Sequence, residues 1–207
     1  MLIVDRIQER TRVLGPGERA VIWFHGCLRN CPGCIASGMN KSLDFSEYSV
    51  DELVHLVSSI DGIEGITISG GEPFQQDSGE MFEFLSQIKQ TTKLSVMAYT
   101  GYLLNELQKD VEKARLLDFI DILVDGPYIE SLDKGQLWRG SENQNIYFLT
   151  DRYSEIADGF AQKKGRPIEC QIIDQNQFAL TGVPPRGFRE SLEKRYAEKG
   201  MTVRWSN

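Results

Sequence analysis

Ala20-Val21-Ile22-Trp23-Phe24-His25-Gly26-Cys27-Leu28-Arg29-Asn30-Cys31-Pro32-Gly33-Cys34 decides how the rest of the chain is read. Residues 20–24 are a compact apolar run of the kind found in a strand buried on both faces. The run stops at His25-Gly26, and Cys27, Cys31 and Cys34 follow. Thiols this close together suit a metal or redox centre better than a disulfide framework. A chemically loaded loop directly after a buried strand is typical of α/β sheets, whose sites gather at the C-terminal strand ends.

The same arrangement recurs three times downstream. Residues 63–69 form a second apolar strand, ending in Gly70-Gly71-Glu72-Pro73. Residues 93–99 form a third, ending in Thr100-Gly101-Tyr102, and residues 119–124 a fourth, ending in Asp125-Gly126-Pro127-Tyr128. Between them lie helical patterns. Ser49 and Glu52 make a capping box ahead of Leu53, Leu56, Val57 and Ile60. Asp77 and Glu80 open a second helix with Met81, Phe82, Leu85 and Ile88 inside, and residues 103–117 form a third helical stretch. Strands alternating with helices predict a parallel sheet. The four clusters should therefore meet in space.

Working outward, residues 2–12 read as one or two short strands before a turn at Gly15-Pro16-Gly17. Residues 146–149 suggest a fifth strand, and 168–173 with 178–180 a hairpin. Phe188, Leu192 and Tyr196 mark a last helix stopped by Gly200, and residues 201–205 a final strand. These units are too few for a closed eight-stranded barrel. The expectation is an α/β fold with a partial, open barrel, short N-terminal strands and a C-terminal α+β extension. Residues 1–207 read as one domain, with a core of about 15–144 and an extension from 145 to 207.

Composition narrows the partners. The formal net charge of −7 argues against nucleic acid, which needs a basic surface. The tail is the exception: Arg186, Arg189, Lys194, Arg195, Lys199 and Arg204 outnumber Glu190, Glu193 and Glu198, as a solvated helix face or a docking surface. No apolar run approaches the ~20 residues of a membrane helix. Charges interrupt the first apolar positions, unlike a signal peptide, so a cytoplasmic location is expected.

Three cysteines on a four-iron cubane leave one iron without a protein thiolate, open to a substrate or cofactor. The residues alone leave other readings. Zinc could be held by the same cysteines with His25 or Cys170. A closed cluster could recruit Cys170, or the thiols could be unliganded. Cys170, in the run Pro167-Ile168-Glu169-Cys170-Gln171-Ile172-Ile173, reads as a buried bystander. Gly70-Gly71-Glu72-Pro73 alone would be an ordinary turn, although its glycines admit a ligand closely.

With Cys27-x-x-x-Cys31-x-x-Cys34 after the first strand and Gly70-Gly71-Glu72-Pro73 after the second, the sequence resembles the radical S-adenosylmethionine superfamily. Tyr99-Thr100-Gly101-Tyr102, Asp125-Gly126-Pro127-Tyr128 and Trp138-Arg139-Gly140-Ser141 further resemble the activating proteins of anaerobic ribonucleotide reductase and other glycyl-radical-enzyme activases. The resemblance covers roughly residues 15–144.

It implies a 4Fe-4S cluster on Cys27, Cys31 and Cys34, with S-adenosylmethionine at the open iron. The reduced cluster gives the cofactor one electron, its C–S bond breaks, and the 5′-deoxyadenosyl radical takes hydrogen from a glycine Cα of a partner enzyme. Gly70, Gly71 and Glu72 would hold the methionine amino end, and Tyr99, Thr100 and Gly101 would line the pocket. Arg139 would pair with the cofactor carboxylate and Asp125 would accept a hydroxyl or amino hydrogen; a loop-stabilising ion pair or turn is the other reading of both. The implied partners are a glycyl radical enzyme subunit and an electron donor such as flavodoxin or ferredoxin. A radical enzyme acting on a small molecule or peptide is the second reading, and a non-catalytic iron–sulfur or zinc module the third. Gly33 departs from the superfamily, many of whose members carry an aromatic residue there.

Overall fold

The computed structural model describes residues 1–40, 43–160 and 163–205. Seven strands form one sheet: β1 (Leu2–Thr11), β2 (Arg19–Phe24), β3 (Ser46–Tyr48), β4 (Gly65–Gly70), β5 (Ser95–Tyr99), β6 (Ile122–Asp125) and β7 (Asn145–Phe148). Their spatial order is β3-β1-β2-β4-β5-β6-β7. The central four, β2, β4, β5 and β6, are parallel, as their alternation with helices predicts. β1 and β3 on one side and β7 on the other run antiparallel. The sheet is mixed α/β with a parallel centre, and no closed barrel forms among the described residues.

Helices α1 (Val50–Ser58), α2 (Ser78–Thr91), α3 (Leu104–Lys109) and α4 (Val111–Leu117) connect the parallel strands. Ser49 and Glu52 form the expected capping box on α1, and Asp77 accepts from the Glu80 N–H at the start of α2. The stretch read as one helix over 103–117 is two, because Asp110 turns the chain out of α3 and accepts from Glu112 N and Lys113 N to start α4.

The strands alternate between two different surroundings. Ile22, Phe24, Ile66, Ile68, Val96 and Ala98 pack against Leu53, Val57, Phe84, Leu85, Ile88 and Leu116 of the helices. Val21 and Trp23 point the other way, into a small cluster with Val13 and Leu14, and Met97, Ile122 and Val124 join Trp138 and Phe160. Arg19 is fully buried on that side. Its guanidinium donates to Thr67 Oγ1 (2.9 Å), Ser95 Oγ (2.8 Å) and Pro16 O (3.1 Å).

Asp121, just before β6, joins three elements. It accepts from Lys89 Nζ of α2 (2.6 Å), Val96 N of β5 (2.8 Å) and Thr150 Oγ1 beyond β7 (2.8 Å). Burial works to raise its carboxyl, but the Lys89 ammonium and the two other donors outweigh it and hold the group below its ordinary value. A carboxyl lowered in the folded state stabilises it above the unfolded value of about 3.9 and loses that contribution as pH falls through the folded one. Asp121→Asn should therefore lower the thermal midpoint at pH 7, and the gap to the parent should close as pH drops below about 4. Thermal melts of both proteins between pH 7 and pH 3 check this.

After β7 come the one-turn α5 (Ser154–Ala157), the hairpin β8 (Ile168–Ile172) and β9 (Phe178–Gly182), and α6 (Phe188–Ala197). Three expectations need correction here. A short β3 pairs with β1, whereas no strand was read there. Residues 201–205 are irregular, with no strand partner. Cys170 is exposed instead of buried, because the hairpin is two-stranded and residues 170–172 face solvent.

Candidate active site at the strand ends

The four clusters do meet. Cys27, Cys31 and Cys34, Gly70, Gly71 and Glu72, Tyr99, Thr100 and Gly101, and Gly126 and Tyr128 all wall one cavity of about 580 Å³. That volume suits a nucleoside-sized ligand, within the range of roughly 300–1,000 Å³ for small-molecule sites.

The backbone of the second loop is tied to the first. Gly71 N donates to Phe24 O (2.7 Å) and Glu72 N to Gly26 O (2.8 Å). The approach leaves no room for a side chain: a Cβ on Gly71 would lie 2.1 Å from Gly26 O. Gly70 adopts a φ of +101°, which favours glycine. Gly71→Ala should therefore force the loops apart, costing about 1–3 kcal/mol as over-packing and lowering iron uptake on reconstitution. Gly79→Ala, in the first turn of α2 and away from the cavity, should leave iron uptake unchanged. Thermal midpoint and iron per chain for both variants read the difference.

Glu72 sits deeper than a ligand-binding carboxylate on a loop surface. It is 1% exposed. Its oxygens accept from Thr100 Oγ1 (2.8 Å), Gly101 N (2.7 Å) and Phe74 N (3.2 Å), linking the second and third loops. Burial pushes its carboxyl up, against the pull of those donors and of Arg29. Gln75 and Gln76 extend the bracing. Leu28 N donates to Gln75 Oε1 (2.8 Å), Gln75 Nε2 to Tyr102 Oη (3.1 Å) and Gln76 Nε2 to His25 O (2.8 Å). Arg29 lies over the Tyr102 ring at 4.2 Å and reaches Glu106 at 3.2 Å. Sequence reasoning missed these three braces, since a glutamine pair after a turn carries no pattern of its own.

The cysteine loop fits an iron–sulfur cluster by its donor set. Burial pushes the Cys27 and Cys34 thiols above their ordinary value, and each is pushed further by the nearby Cys31. The three thiols are thus neighbours in one cavity wall. No three His, Cys, Asp or Glu side chains among the described residues gather as around a single ion. A cubane instead spreads its three thiolates over three irons. His25 and Cys170, the candidate fourth ligands, do not wall the cavity. His25 Nδ1 lies 2.8 Å from Asp5 Oδ1, and the imidazole is tilted against the Phe45 ring with centroids 4.6 Å apart.

Tyr99 lines the cavity with its backbone end, at the tip of β5. Its hydroxyl is buried without a hydrogen-bond partner among the described residues, and its ring packs between the apolar clusters of Met97 and of Trp23. Burial raises its phenol well above the ordinary value.

Asp125 and Arg139 are placed differently. Asp125 accepts from Leu104 N (2.7 Å), Asn145 N (3.2 Å) and Asn145 Nδ2 (3.0 Å), and Arg139 Nη1 donates to Gln144 O (2.9 Å). Both shape the loop that carries Gly126 and Tyr128, and neither walls the cavity. The arginines that do are Arg29, Arg166, Arg186 and Arg189.

Residues 13–147 match a family described as a 4Fe-4S single cluster domain. The anaerobic ribonucleoside-triphosphate reductase-activating protein of Enterobacteria phage T4 is 34% identical over 154 residues, 71% of this chain and 94% of the relative. The protein of the same name from Escherichia coli (strain K12) is 31% identical over 144 residues, 66% of this chain and 92% of the relative. That of Vibrio cholerae is 30% identical over 145 residues, 67% and 92%. With its three cysteines, double-glycine loop and Tyr99-Thr100-Gly101 loop walling one cavity, the chain belongs to the family of anaerobic ribonucleoside-triphosphate reductase-activating proteins.

Proposed function

We propose that this protein activates an anaerobic ribonucleoside-triphosphate reductase by removing hydrogen from a glycine Cα of that enzyme. The observation that carries the reading is one cavity lined by three cysteines and the two glycine loops at the C-terminal ends of β2, β4 and β5. When bound, the cluster and S-adenosylmethionine supply one-electron reduction and hydrogen-atom abstraction.

The chain's own residues do the rest. Cys27, Cys31 and Cys34 would hold the cluster through their thiolates. The loop of Gly70 and Gly71 admits the methionine end against bare backbone, and Glu72 keeps that loop in register with Thr100 and Gly101. Tyr99, Thr100 and Gly101 line the pocket beside it. Asp125 and Arg139 act at one remove, by holding the wall that carries Gly126 and Gln144. The parallel strands β2, β4, β5 and β6 are the first part of a radical S-adenosylmethionine barrel left open. A flavodoxin or ferredoxin supplies the electron, in the cytoplasm.

The test is an anaerobic incubation of the reconstituted, reduced protein with S-adenosylmethionine and the anaerobic reductase of the same source. A glycyl radical on the reductase by electron paramagnetic resonance, with one 5′-deoxyadenosine per radical, is expected. Cofactor cleavage that leaves the reductase without a radical would overturn the activase reading and favour a small-molecule or peptide substrate.

A further inference from the structure

Residues 163–190 lie beyond the family match and complete the cavity. The segment crosses the sheet face that the helices leave uncovered. At one end Gln136 bridges Lys164, Leu137 N donates to Lys163 O (3.1 Å), and Gly165 N donates to Gly135 O (3.1 Å). At the other, Thr11 Oγ1 donates to Glu169, Thr181 Oγ1 donates to Gln8, and Val183 packs on the cluster of Val13, Leu14, Val21 and Trp23.

Arg166 fastens the crossing. Its side chain is 2% exposed and forks onto Asp133, with Nη1 2.9 Å from Oδ2 and Nη2 2.8 Å from Oδ1. Nη2 also donates to Gly140 O (2.7 Å) and Nη1 to Pro184 O (3.1 Å). One guanidinium thus joins the segment's own Pro184 to the loop on the far side of the cavity. Asp133, Gly140, Arg166 and Pro184 all stand in the cavity wall, and Val183 and Pro185 flank Pro184 there.

We propose that Val183, Pro184 and Pro185 form a binding surface for the nucleoside part of S-adenosylmethionine, and that Arg166 is the positioning residue that holds it. This rests on the cofactor reading given above. A purine needs a flat apolar surface, and two successive prolines present one with little backbone freedom left to lose on binding. The planar fork is what the position requires, because a lysine ammonium reaches Asp133 as a point charge and cannot serve Gly140 and Pro184 as well.

The probe is S-adenosylhomocysteine, which shares the nucleoside and amino-acid ends of the cofactor and is not cleaved. Hydrogen–deuterium exchange is followed on the anaerobically reconstituted full chain, with and without the analogue. Exchange should slow severalfold in peptides spanning residues 178–190 and stay unchanged in α1. Arg166→Met should speed exchange in 178–190 in the free protein. It should also weaken analogue binding about tenfold, the factor for a wall seated a tenth of the time, with Arg166→Lys between it and the parent. Analogue binding to the parent without protection of 178–190 would overturn the proposal and leave the activase reading standing. So would unchanged affinity in Arg166→Met alongside faster exchange, since Arg166 would then be structural only. An analogue that does not bind the parent would overturn the cofactor reading and this proposal together. The measurement on the parent needs no substitution, so it decides even if Arg166→Met does not fold.

Discussion

Cys31→Ala is expected to bring S-adenosylmethionine cleavage down to the uncatalysed background while leaving the fold intact. The thiol is half-exposed on a loop and belongs to none of the packed clusters, so its loss removes little buried surface. What it removes is one of three thiolates, and two cannot hold a cubane that already lacks a fourth. Iron and sulfide per chain, the cluster's visible absorption, and 5′-deoxyadenosine by mass spectrometry should all collapse together, with the thermal midpoint of the metal-free protein unchanged. Cys170→Ala is the matching control. Cys170 is exposed on β8, away from the cavity, and its replacement should alter none of these readings. A cluster that survived Cys31→Ala and was lost with Cys170→Ala would mean a different ligand set.

Glu72→Ala should be the most destabilising single change in the site. The carboxylate is the shared acceptor for Phe74 N, Thr100 Oγ1 and Gly101 N, all in a buried setting. Each buried donor left without an acceptor costs about 1–3 kcal/mol. Part is returned because the variant no longer buries a charge, so about 3 kcal/mol is expected in sum. For a chain of this size that is a midpoint fall of roughly 6–12 °C. Glu72→Gln should recover only part: its amide oxygen can accept on one side, but its NH2 must face the Gly101 or Thr100 donor. Urea unfolding of the metal-free proteins measures the stability term without interference from the cluster. Activity should fall in both variants, since the two loops that Glu72 joins both wall the cavity. A stability loss below 1 kcal/mol for Glu72→Ala would show that this bracing is not what holds the loops together.

The parallel centre of the fold was legible because each of its strands is a short apolar run ending in glycine, and each helix announces itself by a cap and a 3.6-residue stripe. The convergence of Cys27, Gly70, Gly71 and Tyr99 followed from position alone, as residues just past parallel strands share one rim. The features that stayed hidden depend on partners distant in sequence. Ser46–Tyr48 has no apolar alternation and becomes a strand only because β1 offers an edge. Glu72 read as a ligand carboxylate, yet its donors lie 28 and 29 residues away and nothing local points to them. Arg139, next to the motif glycine, drew attention from Arg166, whose partners Asp133 and Gly140 are fixed by tertiary packing. Cys170 lies in an apolar run yet is exposed, because a two-stranded hairpin leaves one face wet.

The division between sheet and extension bears on how such a chain can change over generations. Every strand of the seven-stranded sheet is in place by Phe148, and the family match ends at 147. The hairpin of β8 and β9 and its flanking turns are held to that sheet mainly by polar tethers and one small apolar contact through Val183. Mutational drift in this C-terminal segment therefore meets less resistance from folding, because among its described residues only Val183 touches the packed clusters of the sheet. The chemistry-bearing loops stay under the constraint of the core, while the far wall of the cavity answers mainly to Arg166 and to what the cavity binds. What limits change in this segment is then the ligand its wall must hold, so that folding and binding constrain different parts of one chain.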